Sequence, residues 1–334
     1  MLDGDRDGAA PVPEAARIPK PPDQLRIRAA WLYYVEGMTQ SDVAAKLGVN
    51  RIMVTRLLSE ARRRGEVVIR IESELAELTR LQRALEERFG LDEAVVAPLE
   101  DPADDPTRVV AAAAGAHVSG LMRGGLTVGV GWGRTLHAML PYVEKRALPD
   151  VRVVSLLGSI AQARRFNPAE FAWQFAELFE AEGYLISAPA VVNSPETRRA
   201  LLEECGLDRI LELAEACDVA LFSCGGISTL TTSYRSGHIE AADRESLVAA
   251  GAVGDVLYHF LGADGRPVDH PVNARSISLP LEHLSRLPRK VLVSGGAEKL
   301  AILRATLLSV APTALVTDEA TARALLEEAP AAAV

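Results

Sequence analysis

The chain has 334 residues, 49% of them hydrophobic and 24% charged, enough for about two domains with a sizeable buried core. Its formal net charge of −9 argues against nucleic acid as a partner of the whole molecule, and no run of about 18 apolar residues marks a membrane span, so a cytoplasmic protein is expected. The three cysteines, Cys205, Cys217 and Cys224, form no C-x-x-C pair and have no histidine at ligand spacing, so no metal site, no disulfide framework and no cofactor is expected.

Residues 1–22 are acidic and proline-rich and lack an apolar signal-peptide core, which reads as a disordered tail. Residues 24–70 hold nine Lys and Arg against four Asp and Glu, a net of +5, whereas residues 73–334 hold 24 against 35, a net of −11. Cationic charge is therefore concentrated on a first domain spanning residues 23–72, with a different partner from the acidic bulk. Its opening stretch, QLRIRAAWLYYVEGM, predicts a supporting helix through Leu25, Ala29, Leu32 and Tyr33.

TQSDVAAKLGVNRIMVTRLLSEARRRG, residues 39–65, follows with the spacing of a helix-turn-helix. Val43 and Leu47 share one face of the first helix, and Ala44 is small where two helices cross closely. Gly48 stands where the turn favours positive φ, and Val49 buries that turn. Val54, Leu57 and Leu58 form the inward face of the second helix. Thr39 with Asp42 resembles a capping box, and Asn50 is a good N-cap. The outward positions are then Arg51, Ile52, Thr55, Arg56 and Ser59. Arginine bonds guanine bidentately, threonine reaches a thymine methyl or a phosphate, and Arg62, Arg63 and Arg64 suit phosphates. The candidate DNA-binding residues are Thr39, Gln40, Asn50, Arg51, Ile52, Thr55, Arg56, Arg62 and Arg63. An ordinary helical hairpin with a solvated charged face is the alternative; capping, charge segregation and N-terminal placement together favour DNA. EVVIRI, residues 66–71, reads as a short strand in the place of a wing.

Residues 73–90 form an amphipathic pattern, with Leu75, Leu78, Leu85 and Phe89 on one face, Leu81 beside it and Gly90 as a stop. Such a linker helix either packs on the next domain or pairs with its copy in another subunit. From residue 91 to 334, short apolar runs alternate with helical ones. EAVVAPL precedes a helix over 106–123, and LTVGVG precedes a helix from Arg134. VRVVSLLG precedes a helix over 168–182, and YLISAPAVV a helix over 196–215. DVALFSCGG leads to a loop region reaching about residue 255, a hairpin around ADGRP and the run RSISLP. KVLVSGG, a helix over 297–309 and TALVTDE complete the chain. Continuous Val, Leu and Ile strands separated by helices indicate a parallel sheet covered on both faces.

WLYYVEGMTQSDVAAKLGVNRIMVTRLLSEARRRGEVVIRI resembles the DNA-binding end of SorC-type sugar-responsive transcriptional regulators. The resemblance continues in GLTVGVGWGRTL, NPAEFAWQFA, GAVGDVLYHFLGADGRPV and SGGAEKLAILRATLLSVAPTALVTDEATARALL, and so covers about residues 24–330. It implies an α/β protein with a winged-helix-like N-terminal domain and a parallel-sheet effector domain similar to sugar-phosphate isomerases and glucosamine-phosphate deaminases. It also implies homo-oligomers, tetramers built from dimers, and operator DNA affinity set by a sugar, polyol or sugar phosphate. Asn50 departs from a frequent serine of the family. LLGSIAQARRFNPAE replaces the Gly-Pro-rich stretch of phosphate-sensing members and is closer to members that sense sugars or polyols.

The candidate effector residues gather at strand ends. LTVGVGWGRTL runs into Gly131, Trp132, Gly133, Arg134 and Thr135, where glycines let a ligand approach the backbone. A tight structural turn is the alternative, and neither a Walker loop nor a good dinucleotide fingerprint is present. Gly225 and Gly226 end another apolar run, as does SGG at 294–296. Lys299 follows that SGG as in the family's Gly-Gly-x-x-Lys pattern, and Asp255 is placed to accept sugar hydroxyls. Asn167 and Glu170 are weaker candidates, since both also suit a helix start. No G-x-S-x-G elbow, H-E-x-x-H helix or nucleophile–base set appears, so no catalytic residue is named. The reading is an effector-controlled regulator. Against it stand an isomerase or deaminase with a regulatory front module, which would turn over sugar phosphates, and a constitutive architectural DNA binder, whose thermal melt would ignore sugars.

Overall fold

A computed structural model of the protein describes residues 22–67, 75–101, 103–159, 167–228 and 239–327. The N-terminal tail and most of the wing-like run EVVIRI lie outside the described residues. The chain forms two compact units, residues 1–71 and 72–334.

The first unit is helical. Helix α1 (Pro22–Ala30) runs on as a single π turn (Trp31–Val35), followed by α2 (Gln40–Leu47) and α3 (Arg51–Arg63). Ala29, Leu32, Val43, Ala44, Val54, Leu58 and Ala61 are among the residues of its core, with the small residue at 44 buried. Leu57 and Val49 pack against that core while only partly buried. Gly48 has φ +70, the left-handed geometry that ends α2 and turns the chain into α3. Thr39 Oγ1 accepts from the Asp42 N–H at 3.3 Å, and Asn50 Oδ1 accepts from the Met53 N–H at 2.8 Å, so both helix starts are capped as read from sequence. Arg26 is buried and grips the Glu66 carboxylate through Nε and Nη2, both at 2.5 Å, which ties the end of α3 back to α1.

The second unit begins with α4 (Leu75–Phe89), the segment expected as a linker. Leu85 is fully buried, and Leu78, Leu81 and Phe89 pack against the same cluster, so this helix packs on the second unit. Seven strands then form one parallel sheet: β1 (Glu93–Ala97), β2 (Thr127–Val130), β3 (Arg152–Ser155), β4 (Glu182–Tyr184), β5 (Val219–Phe222), β9 (Arg289–Val293) and β10 (Ala314–Asp318). Their order is β1-β10-β9-β5-β2-β3-β4. Alternate residues of one strand enter different cores: Val219 and Leu221 one, Ala220 and Phe222 the other. That two-sided burial is why these strands read as continuous apolar runs.

Between β1 and β5 lie α5 (Thr107–Leu121), α6 (Arg134–Met139), α7 (Pro168–Glu177), α8 (Pro195–Glu203) and α9 (Asp208–Glu215). A second sheet, β6 (Cys224–Gly226), β7 (Ala252–Val256) and β8 (His259–Gly262), is antiparallel. Around it come α10 (Ala241–Ala249), α11 (Pro271–Arg275) and α12 (Leu281–Arg286). A 3-10 turn (Ala297–Lys299) leads into α13 (Leu300–Val310), and α14 (Glu319–Glu327) follows β10.

Several expectations are corrected. The helix over 196–215 is two helices, separated at Gly206 with φ +73. YLISAPAVV contributes β4 only at its start; beyond it Pro189 and Val191 make isolated bridges, since a proline has no N–H for a ladder. RSISLP likewise makes isolated bridges through Ser276 and Ser278. The loop expected up to residue 255 contains α10 and most of β7, and the run DVALFSCGG is divided between the two sheets.

Candidate functional site

The outer face of α3 is the first candidate surface. Arg51, Ile52, Thr55, Arg56, Arg62 and Arg63 are all exposed, Ile52 with 69% of its surface open although it is aliphatic. Thr55 donates to the carbonyl of Arg51 and to Gln40 Oε1, both at 3.1 Å, linking the start of α2 to this face. Arg63 and Arg64 are less free than the sequence suggested: both bind Glu60, and their hydrogen bonds hold its carboxyl below the usual range. Arg51, Arg56 and Arg62 make no ion pair among the described residues, so three uncompensated guanidinium groups and one aliphatic side chain project from one helix. Thr39 and Asn50 are exposed but spend their side-chain oxygens on capping.

The second candidate lies at the carboxyl ends of the parallel strands. From β2 the chain runs outward through β3 to β4, returns to β5 on the other side of β2, and runs outward again through β9. The order reverses between β2 and β5, and ligands of open α/β sheets bind in the crevice such a reversal leaves. Gly131 and Gly133 leave β2 there, and Ser223 to Gly226 leave β5. A side chain at Gly131 would meet Phe222 Cα at 3.3 Å, so the two strand ends approach closely. Gly133 has φ +142 and starts α6, whose first residue, Arg134, is exposed. Trp132 and Thr135 are buried; Trp132 stacks on Tyr258 with ring centroids 5.4 Å apart. Gly225 pairs with Asp255 across β6 and β7. Asp255 is buried and accepts the Tyr258 N–H at 3.1 Å.

Lys299 comes in from the turn after β9. Its charge reaches the buried Cys224 thiol, whose pKa burial raises, and the Asp105 carboxyl. Asp105 is the residue that sequence reasoning missed. It meets Arg134 at 3.3 and 3.5 Å, and its Oδ1 accepts both the N–H and the hydroxyl of Thr107, at 3.0 and 2.6 Å. Partial burial pushes this carboxyl up, but the Thr107 bonds and then the charges of Arg134 and Lys299 outweigh it and hold the group below its ordinary range. Asp-Pro-Thr ahead of α5 is a helix-start signal, and that is the only sequence trace of it. Asp105, Thr107, Arg108, Ala138 and Tyr142 also line an open cavity of about 340 Å³. Asn167 is grouped with Ser159, after β3, and caps α7 by accepting the Ala169 N–H; the exposed Glu170 bonds Gln174 one turn on. Among the described residues no group of three His, Cys, Asp or Glu side chains suits a metal ion, and no helix is long and apolar enough to cross a membrane.

Comparison with known proteins adds to this geometry. Residues 73–327 match the family model of a sugar-binding domain, Sugar-bind. Over 311 residues the chain is 32% identical to the erythritol catabolism regulatory protein EryD of Brucella abortus strain 2308, covering 91% of this chain and 96% of that one. It is 30% identical over 308 residues to the deoxyribonucleoside regulator of Bacillus subtilis strain 168, covering 91% and 98%. Among solved structures it is similar to the full-length sorbitol operon regulator SorC from Klebsiella pneumoniae, with a TM-score of 0.69 and 25% identity over 91% of this chain and 99% of that one. Each of these three is a regulator by name, and none an enzyme.

Proposed function

The chain belongs to the SorC family of sugar-binding transcriptional regulators, and from that premise we propose that it controls a carbohydrate-catabolism operon by binding operator DNA under the control of a small polyhydroxy effector. It acts as a regulator and not as an isomerase or deaminase. In this reading α2 and α3 are a helix-turn-helix, α3 lies in the major groove, and Arg51, Ile52, Thr55 and Arg56 meet base edges while Arg62 meets a phosphate. The effector sits in the crevice between β2 and β5, approached by Arg134, Asp255, Gly225, Gly226 and Lys299. The protein works in the cytoplasm as a homo-oligomer. Occupancy of the crevice changes how two copies of α3 are spaced against operator half-sites about one helical turn apart.

The observation that carries this reading is the separation of chemistries: unpaired arginines stand on one unit, and a crevice of mixed charge stands on the other. Arg51→Ala or Arg56→Ala is expected to weaken operator binding by roughly tenfold or more, measured by fluorescence anisotropy at fixed salt, and to leave effector-induced thermal stabilisation intact. Lys299→Ala is expected to do the reverse. If the arginine variants lose both properties, or the lysine variant loses neither, the assignment of sites fails.

A further inference from the structure

We propose that Asp105 determines the charge class of the effector: it occupies the anion position beside Arg134 and Lys299, so the crevice selects an uncharged polyhydroxy compound over its phosphate ester. This rests on the reading that the crevice is the effector site.

The carboxylate is a fixed part of the site. Thr107 holds Oδ1 through its N–H and its hydroxyl, at 3.0 and 2.6 Å. The next residue, Pro106, puts its ring 3.5 Å from where a side chain on Gly296 would begin, so the segment is docked against the turn that carries Lys299. Arg134 faces this carboxylate with both terminal nitrogens, at 3.3 and 3.5 Å. The guanidinium that a phosphate would need is thus already engaged from within the chain.

The surrounding charges point the same way. Arg134 and Lys299 are the cations that act on Asp105, with Arg108 lining the same cavity, and three acidic side chains stand on the segments that flank these strand ends. Asp105 is one. Asp255 lies against Gly225, with its Oδ1 2.9 Å from where a side chain there would begin. Asp318 ends β10 and accepts the Gly296 N–H at 3.0 Å. A phosphate monoester brings close to two negative charges at neutral pH, into a place where the cations are already matched by carboxylates. Hydroxyl groups of a polyol carry no such penalty: they donate to carboxylates and accept from an ammonium. Nor does a helix start compensate, because α6 has six residues and its dipole is correspondingly small.

The test uses the full-length protein and inorganic phosphate, titrated calorimetrically against sodium chloride of equal ionic strength. Asp105→Asn keeps an oxygen for Thr107, so the turn is retained while the charge is removed. Because the group is partly open to solvent, the expected gain in phosphate affinity is about tenfold rather than thousandfold. Arg134→Gln added to Asp105→Asn is expected to cancel that gain. If Asp105→Asn melts as the wild type does, still binds operator, and binds phosphate within twofold of wild type, the proposal is overturned. It is also overturned if D-ribose 5-phosphate stabilises the wild type more than D-ribose does and Lys299→Ala removes that effect, an outcome that would uphold the crevice itself. The underlying reading has a separate failure: erythritol or sorbitol stabilising Lys299→Ala as strongly as the wild type would place the effector elsewhere.

Discussion

His259 lies on β8 with Nε2 2.9 Å from Ser278 Oγ and 3.1 Å from the Leu279 carbonyl. Burial lowers its pKa from an ordinary 6.5 to about 4. Between those values the unfolded chain binds a proton that the folded one refuses, so stability is full above pH 6.5 and is lost as pH falls towards 4. The loss attributable to this one ring is about 3 kcal/mol. Denaturant melts of wild type and His259→Gln between pH 7 and 4 check it: the difference between the two proteins is expected to shrink or reverse on acidification. A constant difference would show that the ring titrates in the fold as it does in solution. At this scale the sequence was most legible where one residue acts on its own neighbours. Gly48, Thr39 and Asn50 do what their local chemistry requires. Asp105 was hidden because its partner Arg134 is 29 residues away, and only the return of the chain beside β2 joins them.

Elements were legible where burial leaves a pattern. Helix α4 shows its leucine stripe in the sequence, and Leu85, the only one of its described side chains with no exposed surface, is where that stripe enters the core. Leu85→Ala is expected to lower the stability of the larger unit by about 2–5 kcal/mol in urea melts. A cost below about 1 kcal/mol would mean that α4 is held by something other than this packing. Helix α10 was missed for the opposite reason: Leu247 is its one buried residue, so no stripe exists to be seen. Helices α8 and α9 read as one because Leu201, Leu202, Leu207 and Ile210 carry one apolar face across the junction, and only the left-handed geometry at Gly206 divides it. β6 looks in the sequence like the tail of β5, because apolar continuity says nothing about which neighbour a strand pairs with.

For the molecule as a whole, the informative quantity was the uneven charge, +5 over residues 24–70 against −11 over residues 73–334. That contrast predicts two different responses to salt. Operator affinity should fall steeply on a log–log plot against salt, and Arg62→Ala should reduce the slope by about one per bound copy of α3. Affinity for an uncharged effector should stay nearly flat over the same range. A slope unchanged by Arg62→Ala would remove this arginine from the phosphate contacts. The parallel sheet was legible from its two-sided apolar strands, whereas the second sheet was not, because its strands are short and rich in glycine.

Only Ser223 separates the last residue of β5 from the first of β6. One residue offers almost no slack between two sheets that otherwise pair only within themselves. A shift at Gly225 is therefore passed through Ser223 directly to the carboxyl end of β5.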